Sequence, residues 1–305
     1  MKTSIKSIIK GLLSYTPLKR IVTRKGTGGT DSARYCYSVW LRHLVLLYEN
    51  GMKEHPKIIA ELGPGDSLGI GLAALITGAQ KYYALDVIKH TDLKSNLKIL
   101  EELVELFNKK ADIPNEREFP ELKPKLSNYK FPESLVNKLA DKTKLDLIRK
   151  NLNGLDESLI NYIVPWDNFH FPKLNNSVDL IYSQAVMEHI SDLQNDYKIM
   201  YKWLKKGGFI SHQIDYKAHE THKIWNGHWK YNDFLWKIIM HGRSYPINRY
   251  PHSFHISLIE DAGFNIKKVL KDERFDGYKI NHFSKLRYFT EEDFITASAH
   301  IIAEK

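Results

Sequence analysis

The chain has 305 residues, 43% of them hydrophobic and 12% aromatic, which is enough to bury a sizeable core and excludes a disordered polymer. Lysine and arginine number 45 against 36 acidic residues, giving a net charge of +9. The basic residues are scattered, so the excess fits a solvated surface as well as a nucleic acid, an anionic membrane or an acidic substrate. One cysteine, Cys36, excludes an internal disulfide framework and fits a reducing compartment. No apolar run reaches the roughly 18–20 residues that span a bilayer, and Lys6 and Lys10 interrupt the apolar start, so a cytoplasmic location is expected.

Residues 1–30 form a basic lead-in. Ile5, Ile8, Ile9, Leu12 and Leu13 share one helical face, flanked by Lys2, Lys6 and Lys10. Residues 1–25 therefore either touch an anionic membrane surface or pack on the body of the protein. Gly26 to Thr30 reads as a loop, with Asp31 or Ser32 capping a helix that runs to about Asn50 and stops at Gly51. Arg34, Tyr35 and Tyr37 on this helix either reach a ligand or pack.

The segment from Lys57 to Asp86 carries the most telling pattern in the chain. Ile58-Ile59-Ala60 predicts a buried strand with Glu61 at its end, followed by a Gly63-Pro64-Gly65 turn. From Asp66 onward Leu68, Leu72, Leu75 and Ile76 recur at helical spacing, and Tyr82 to Leu85 predicts a second strand ending in Asp86. Strand, glycine loop, helix, strand and acid over about 30 residues is the layout of a nucleotide-binding half of a doubly wound α/β sheet. The glycines admit a close ligand, and an acid at the second strand's tip can accept both hydroxyls of a ribose. Their positions, 63, 65 and 69, depart from the G-x-G-x-x-G spacing of dinucleotide sites. Asp66 at the helix start repels a phosphate and suits a cation.

Beyond Asp86 the alternation is interrupted. A helix over 92–110 carries Leu93, Leu97, Leu100, Leu103, Val104 and Phe107 as its stripe; Pro114, Pro120, Pro124 and Pro132 come next, then a helix over about 133–151. Residues 92–158 thus read as an insertion. A third strand, Leu159 to Val164, ends at Pro165-Trp166-Asp167, and a fourth, Val178 to Ser183, leads into Gln184 to Ile190. A helix ending at Lys205-Lys206-Gly207-Gly208 precedes strand five, Phe209 to Ile214. A second insertion, 212–250, holds His212, Asp215, His219, Trp225, Trp229, Trp236 and Tyr245. It either meets a substrate or forms an aromatic mini-core. Residues 262–266 lead into a further strand, and Ile295 to Ala303 predicts a terminal one.

Glu61-x-Gly63-x-Gly65, with Ser67 at the last glycine position, resembles motif I, [D/E]-x-G-x-G-x-G, of the class I S-adenosylmethionine (SAM)-dependent methyltransferases. Asp179 to Ile190 resembles their D-x-I-x-[S/C]-x-x-x-x-E-H-[I/V] segment, and Leu204 to Gly208 their L-[K/R]-x-G-G element. The resemblance spans about residues 30–305 and implies a Rossmann-like seven-stranded α/β sheet with helices on both faces. It implies a single domain over 31–305, with the two insertions forming a cap. SAM is the implied cofactor, held by Glu61, Gly63, Pro64, Gly65, Asp66, Ser67, Asp86, Val87, Asp167, Ser183 and Gln184, with Asp167 at the adenine.

Methyl transfer is an in-line displacement that positioning alone accelerates. A hydroxyl acceptor is further helped by a base, for which His189, His212 and Asp215 are the candidates. Some family members hold Mg²⁺ with Glu-x-x-Glu-His here; Ala185 replaces the first Glu, leaving Glu188 and His189, so no metal is expected. The whole is also similar, more distantly, to methyltransferases of bacterial surface-polysaccharide gene clusters. The expected acceptor is a small-molecule or glycan hydroxyl. An RNA acceptor, motivated by the net charge, and a non-catalytic SAM-binding regulatory module are the alternatives.

Overall fold

A computed structural model describes residues 7, 9, 29–136, 138–166, 171–243, 245–282 and 289–305. The lead-in helix expected over 1–25 lies outside the described residues apart from Ser7 and Ile9, as does Asp167. The sheet has seven strands: β1 (Ile58–Leu62), β2 (Lys81–Leu85), β3 (Ile160–Ile163), β4 (Val178–Gln184), β5 (Leu204–Asp215), β6 (Asn265–Glu273) and β7 (Thr296–Glu304). Their order is β3-β2-β1-β4-β5-β7-β6, with β1 to β5 parallel and β7 antiparallel to both neighbours. This is the expected class I methyltransferase sheet, closing hairpin included.

Parallel strands need both faces covered, and the sequence supplies two apolar sets. Ile59, Leu180 and Tyr182 face α1 (Ala33–Glu49), α2 (Gly69–Thr77) and α3 (Leu93–Asn108). Ala60, Leu62 and Ile181 point the other way, against α5 (Leu193–Trp203) and α7 (His252–Asp261). Between these lie α4 (Lys142–Leu152) and, in the second insertion, α6 (Asp233–Met240). Among the described residues no helix is long and apolar enough to cross a membrane.

Several expected boundaries move, each for a local reason. The helix after the glycine loop starts at Gly69, three residues past Asp66, because Thr30 ties down Asp66 and Ser67. The helix expected from about 133 starts at Lys142, where the Asp141 side chain accepts from Lys144 N–H at 2.9 Å. Lys205 to Gly208 do not end a helix; they lie within β5. The register against β4 jumps there from Val178–Leu204 to Leu180–Phe209, a bulge that Gly207 makes at φ +77°. Leu93 is exposed, leaving Ile99, Leu100, Leu103 and Phe107 as the buried face of α3.

Candidate active site

The loop after β1 runs Gly63 (φ +63°), Pro64, Gly65 (φ +75°), Asp66, Ser67 at the C-terminal edge of the parallel strands, the ligand side of such sheets. Asp86, just past β2, closes it from the side. Its Oδ2 accepts from Gly65 N–H at 3.4 Å and its Oδ1 from Val87 N–H at 2.8 Å. Burial raises the Asp86 carboxyl above its ordinary value, against the lowering effect of those backbone donors. Val87 and Ile88 are about half exposed, an apolar shelf next to a carboxylate. Thr30 accepts from Asp66 N–H through its hydroxyl at 2.9 Å and from the Ser67 hydroxyl through its carbonyl.

Glu61 is not on this loop's surface. It is 2% exposed, and its Oε2 accepts from the Tyr82 hydroxyl at 2.5 Å and the Tyr182 hydroxyl at 3.1 Å. Burial lifts its pKa to about 7. The expectation that it touches the cofactor is corrected: it braces β1 against its neighbours. Gly69 likewise serves close helix packing, since a Cβ there would lie 2.5 Å from Cys36 Sγ.

The second insertion returns over the crevice. Asn248 donates its N–H to the Glu188 carbonyl at 2.6 Å and its Nδ2 to the Met187 and Ile190 carbonyls, both at 2.9 Å. This pins the insertion to the segment after β4 and lays Tyr245 beside His90 and His189, ring centroids 5.7 and 6.1 Å apart. Burial, then the charges of Asp66 and Asp86, raise the Tyr245 hydroxyl. His189 Nδ1 bonds the Pro246 carbonyl at 3.1 Å. A carbonyl only accepts, so Nδ1 carries the proton and Nε2 keeps its lone pair. Burial lowers His189 to about 4, which leaves it neutral at pH 7. Its ring is 5.6 Å from that of His219, whose Nε2 lies 3.6 Å from Asp215 Oδ2 and 4.0 Å from Glu188 Oε1.

Thus His189 and Asp215 come together, and His212 does not join them. His212 is fully buried between β4 and α5, with Nδ1 2.8 Å from Ser183 Oγ, and burial lowers it to about 3. Strand alternation turns it to the opposite face from Gln213 and Asp215, so its expected role as base is corrected. Ser183 is equally buried, so its side chain is no cofactor contact. Gln184 donates to the Lys123 carbonyl at 3.1 Å, joining the first insertion to the sheet edge. Arg34 pairs with Glu118, Tyr35 packs edge-on to Phe119, and Tyr37 donates to the Ala111 carbonyl at 2.5 Å: these residues pack. Trp225 and Trp229 pack with Phe294, and Trp236 with Ile239 and Ile247, so most of the aromatic insertion is mini-core. Thr30 and His90 had no motif to reveal them; only a hydroxyl before a helix and proximity to Asp86 marked them. Among the described residues no group of three or more His, Cys, Asp or Glu is placed to hold a metal ion.

Residues 132–211 match the family model described as methyltransferase domain. No curated protein matches the chain. Among solved structures it is similar to an S-adenosylmethionine-dependent methyltransferase from Mesorhizobium loti, at 16% identity over 88% of this chain and 98% of that one, TM-score 0.46. A methyltransferase from Methanosarcina mazei gives 14%, 85%, 96% and 0.46. Phosphoethanolamine N-methyltransferase 2 of Haemonchus contortus, in complex with S-adenosyl-L-methionine, gives 14%, 90%, 57% and 0.44. At these values the neighbours bear on neither acceptor nor mechanism. The sheet order and the glycine loop with its acid are those of the class I SAM-dependent methyltransferase fold, and residues 132–211 carry the methyltransferase-domain match.

Proposed function

We propose that the enzyme methylates a hydroxyl of a small-molecule or glycan acceptor, with His189 as the general base. The observation that carries this is the neutral His189, its Nδ1–H committed to the Pro246 carbonyl, standing between Tyr245 and the Asp215–His219 pair. The residues at the loop fit SAM. Asp86 would accept from the ribose hydroxyls, and Val87 and Ile88 offer an apolar face to the adenine. The loop from Gly63 to Ser67 leaves room for the methionine end, with Asp66 on the side of its ammonium. Bound SAM supplies an electrophilic methyl on a sulfonium.

His189 Nε2 takes the acceptor's proton as its oxygen attacks, and the Pro246 carbonyl stabilises the charged ring through Nδ1–H. A base so placed contributes about 10²–10⁴-fold. Tyr245 and His90 wall the crevice and exclude water from the reacting oxygen. Residues 31–305 act in this reading as one domain, with parts of both insertions as its cap. Sugar hydroxyls are the favoured acceptors because the Tyr245 hydroxyl and the neutral His189 ring offer hydrogen bonds without a charge.

The test is transfer from labelled SAM to a panel of nucleotide sugars and methyl glycosides, with products read by mass spectrometry. O-methylated product, reduced about 10²-fold or more in kcat by His189→Ala, is the expected result. Methylation confined to nitrogen or to RNA contradicts it.

A further inference from the structure

Behind the His189 wall lies a group of polar atoms that the fold leaves unpaired. Glu188 is 3% exposed, and neither carboxyl oxygen has a hydrogen-bond partner among the described residues. His219 Nε2, 4.0 Å from Glu188 Oε1, is unpaired as well and too far for a hydrogen bond. Asp215 Oδ2 is 3.6 Å from the same nitrogen. Gln213, on the same face of β5 as Asp215, leaves its Oε1 without a partner.

Leaving such a group buried and unpaired costs about 1–3 kcal/mol, so it calls for a partner such as a ligand or a water. The backbone is strained at the same place. His219 and Glu220 both hold left-handed backbone, at φ +41° and +65°, which turns the chain so that His219 reaches back to Glu188 and Asp215.

We propose that Glu188, Asp215 and His219 form an acceptor subsite that binds two adjacent hydroxyls of a neutral polyol, next to the hydroxyl methylated at His189. The inference rests on the proposed O-methylation. It narrows the acceptor to a molecule with neighbouring hydroxyls, such as a pyranose. Charge around the site selects against an amine. Lys217 Nζ is 3.3 Å from Asp215 Oδ2, and Arg243 is near enough to act on His219. Lys217 already offsets the Asp215 carboxylate, and burial pushes the Glu188 carboxyl well above its ordinary value, assisted by the neighbouring Asp215 charge. A protonated carboxyl both donates and accepts, as a hydroxyl partner requires. A vicinal diol would pair several of these orphan atoms at once.

The experiment uses the full chain with S-adenosylhomocysteine and reads saturation-transfer NMR on methyl α-mannoside, methyl α-galactoside, GDP-mannose, UDP-glucose and, as controls, ethanolamine and spermidine. Expected is binding of at least one polyol, weakened at least tenfold by removing the neighbouring hydroxyl in a deoxy analogue and by Glu188→Ala. Glu188→Gln keeps the shape and two hydrogen-bonding atoms and weakens it less. Calorimetry should show S-adenosylhomocysteine binding within twofold of wild type in both variants, which also reports that they fold. Binding of amines alone, of no polyol, or of polyols equally well in Glu188→Ala overturns the subsite. O-methylated product whose kcat/KM ignores both Glu188→Ala and the deoxy analogue overturns it while O-methylation stands. N-methylated product alone overturns both.

Discussion

Thr30 grips the loop at Asp66 from outside the sheet, its hydroxyl oxygen 2.9 Å from the Asp66 N–H, while its carbonyl takes the Ser67 hydroxyl. One residue ahead of α1 thus sets the path of the turn between β1 and α2. Thr30→Val keeps the shape and loses one hydrogen bond, worth about 0.5–1.5 kcal/mol. SAM affinity measured by calorimetry should fall about 2- to 10-fold, and Thr30→Ser should stay near wild type. Equal affinity in Thr30→Val would show that the tie does not shape the loop.

His189 should control rate rather than cofactor binding. His189→Ala is expected to lower kcat by about 10²–10⁴-fold while SAM affinity stays within twofold. Burial holds the ring's pKa near 4, so the base is already unprotonated at neutral pH. The kcat profile should therefore be flat across neutral pH and fall only as pH drops towards about 4. An acid limb centred near 6.5 would mean that the proton-accepting group is an ordinary histidine elsewhere.

The buried histidines make the fold acid-sensitive. His43, His212 and His255 are each lowered to about 3 by burial, while the unfolded chain titrates near 6.5. Below 6.5 the unfolded state binds protons that the native state refuses, so stability is full above that value and falls as pH drops towards 3. The slope approaches at most about 1.4 kcal/mol per pH unit for each histidine. Urea midpoints should fall clearly between about pH 6.5 and pH 5. A flat midpoint would contradict the burial of these rings.

Glu61 works in the opposite direction. Its folded pKa near 7 lies above the ordinary 4.5, so the native state keeps a proton that the unfolded state has lost, and stability falls as pH rises from 4.5 to 7. Glu61→Gln removes that titration, so its stability relative to wild type should improve over the same interval. The support beneath it is tight: a Cβ on Gly71 would fall 2.1 Å from the Tyr82 ring. Gly71→Ala should cost about 1–3 kcal/mol or more in urea unfolding, Tyr82 being fully buried.

Much of the fold was legible because parallel strands announce themselves as short apolar runs ended by Gly63, Asp86 or Ser183, and the closing hairpin as two further runs. Side-chain direction was less so. His212 and Asp215 both stand on β5, yet alternation sends the first into the core and the second to the crevice, and no spacing rule fixes which. Glu61 and Asp86 both end strands; only the tyrosines from β2 and β4 show that Glu61 is internal. Thr30 reaches the loop, and Tyr245 reaches His90 and His189, from distant parts of the chain, and such contacts come from three-dimensional closure rather than any local pattern. The start at Gly69 and the β5 bulge at Gly207 are likewise tertiary effects that override local propensity.

The most direct measurement is a calorimetric titration of SAM and S-adenosylhomocysteine into wild type and Asp86→Ala. Asp86 is where the loop, the apolar shelf of Val87 and Ile88, and the expected ribose position meet. Loss of hydrogen bonds to a buried carboxylate, at about 1.5–3 kcal/mol, predicts an affinity lower by about 10- to 150-fold or abolished. Binding to wild type with that loss in Asp86→Ala is the predicted result. No binding to wild type, or equal binding in the variant, would contradict the account of this crevice as the SAM site.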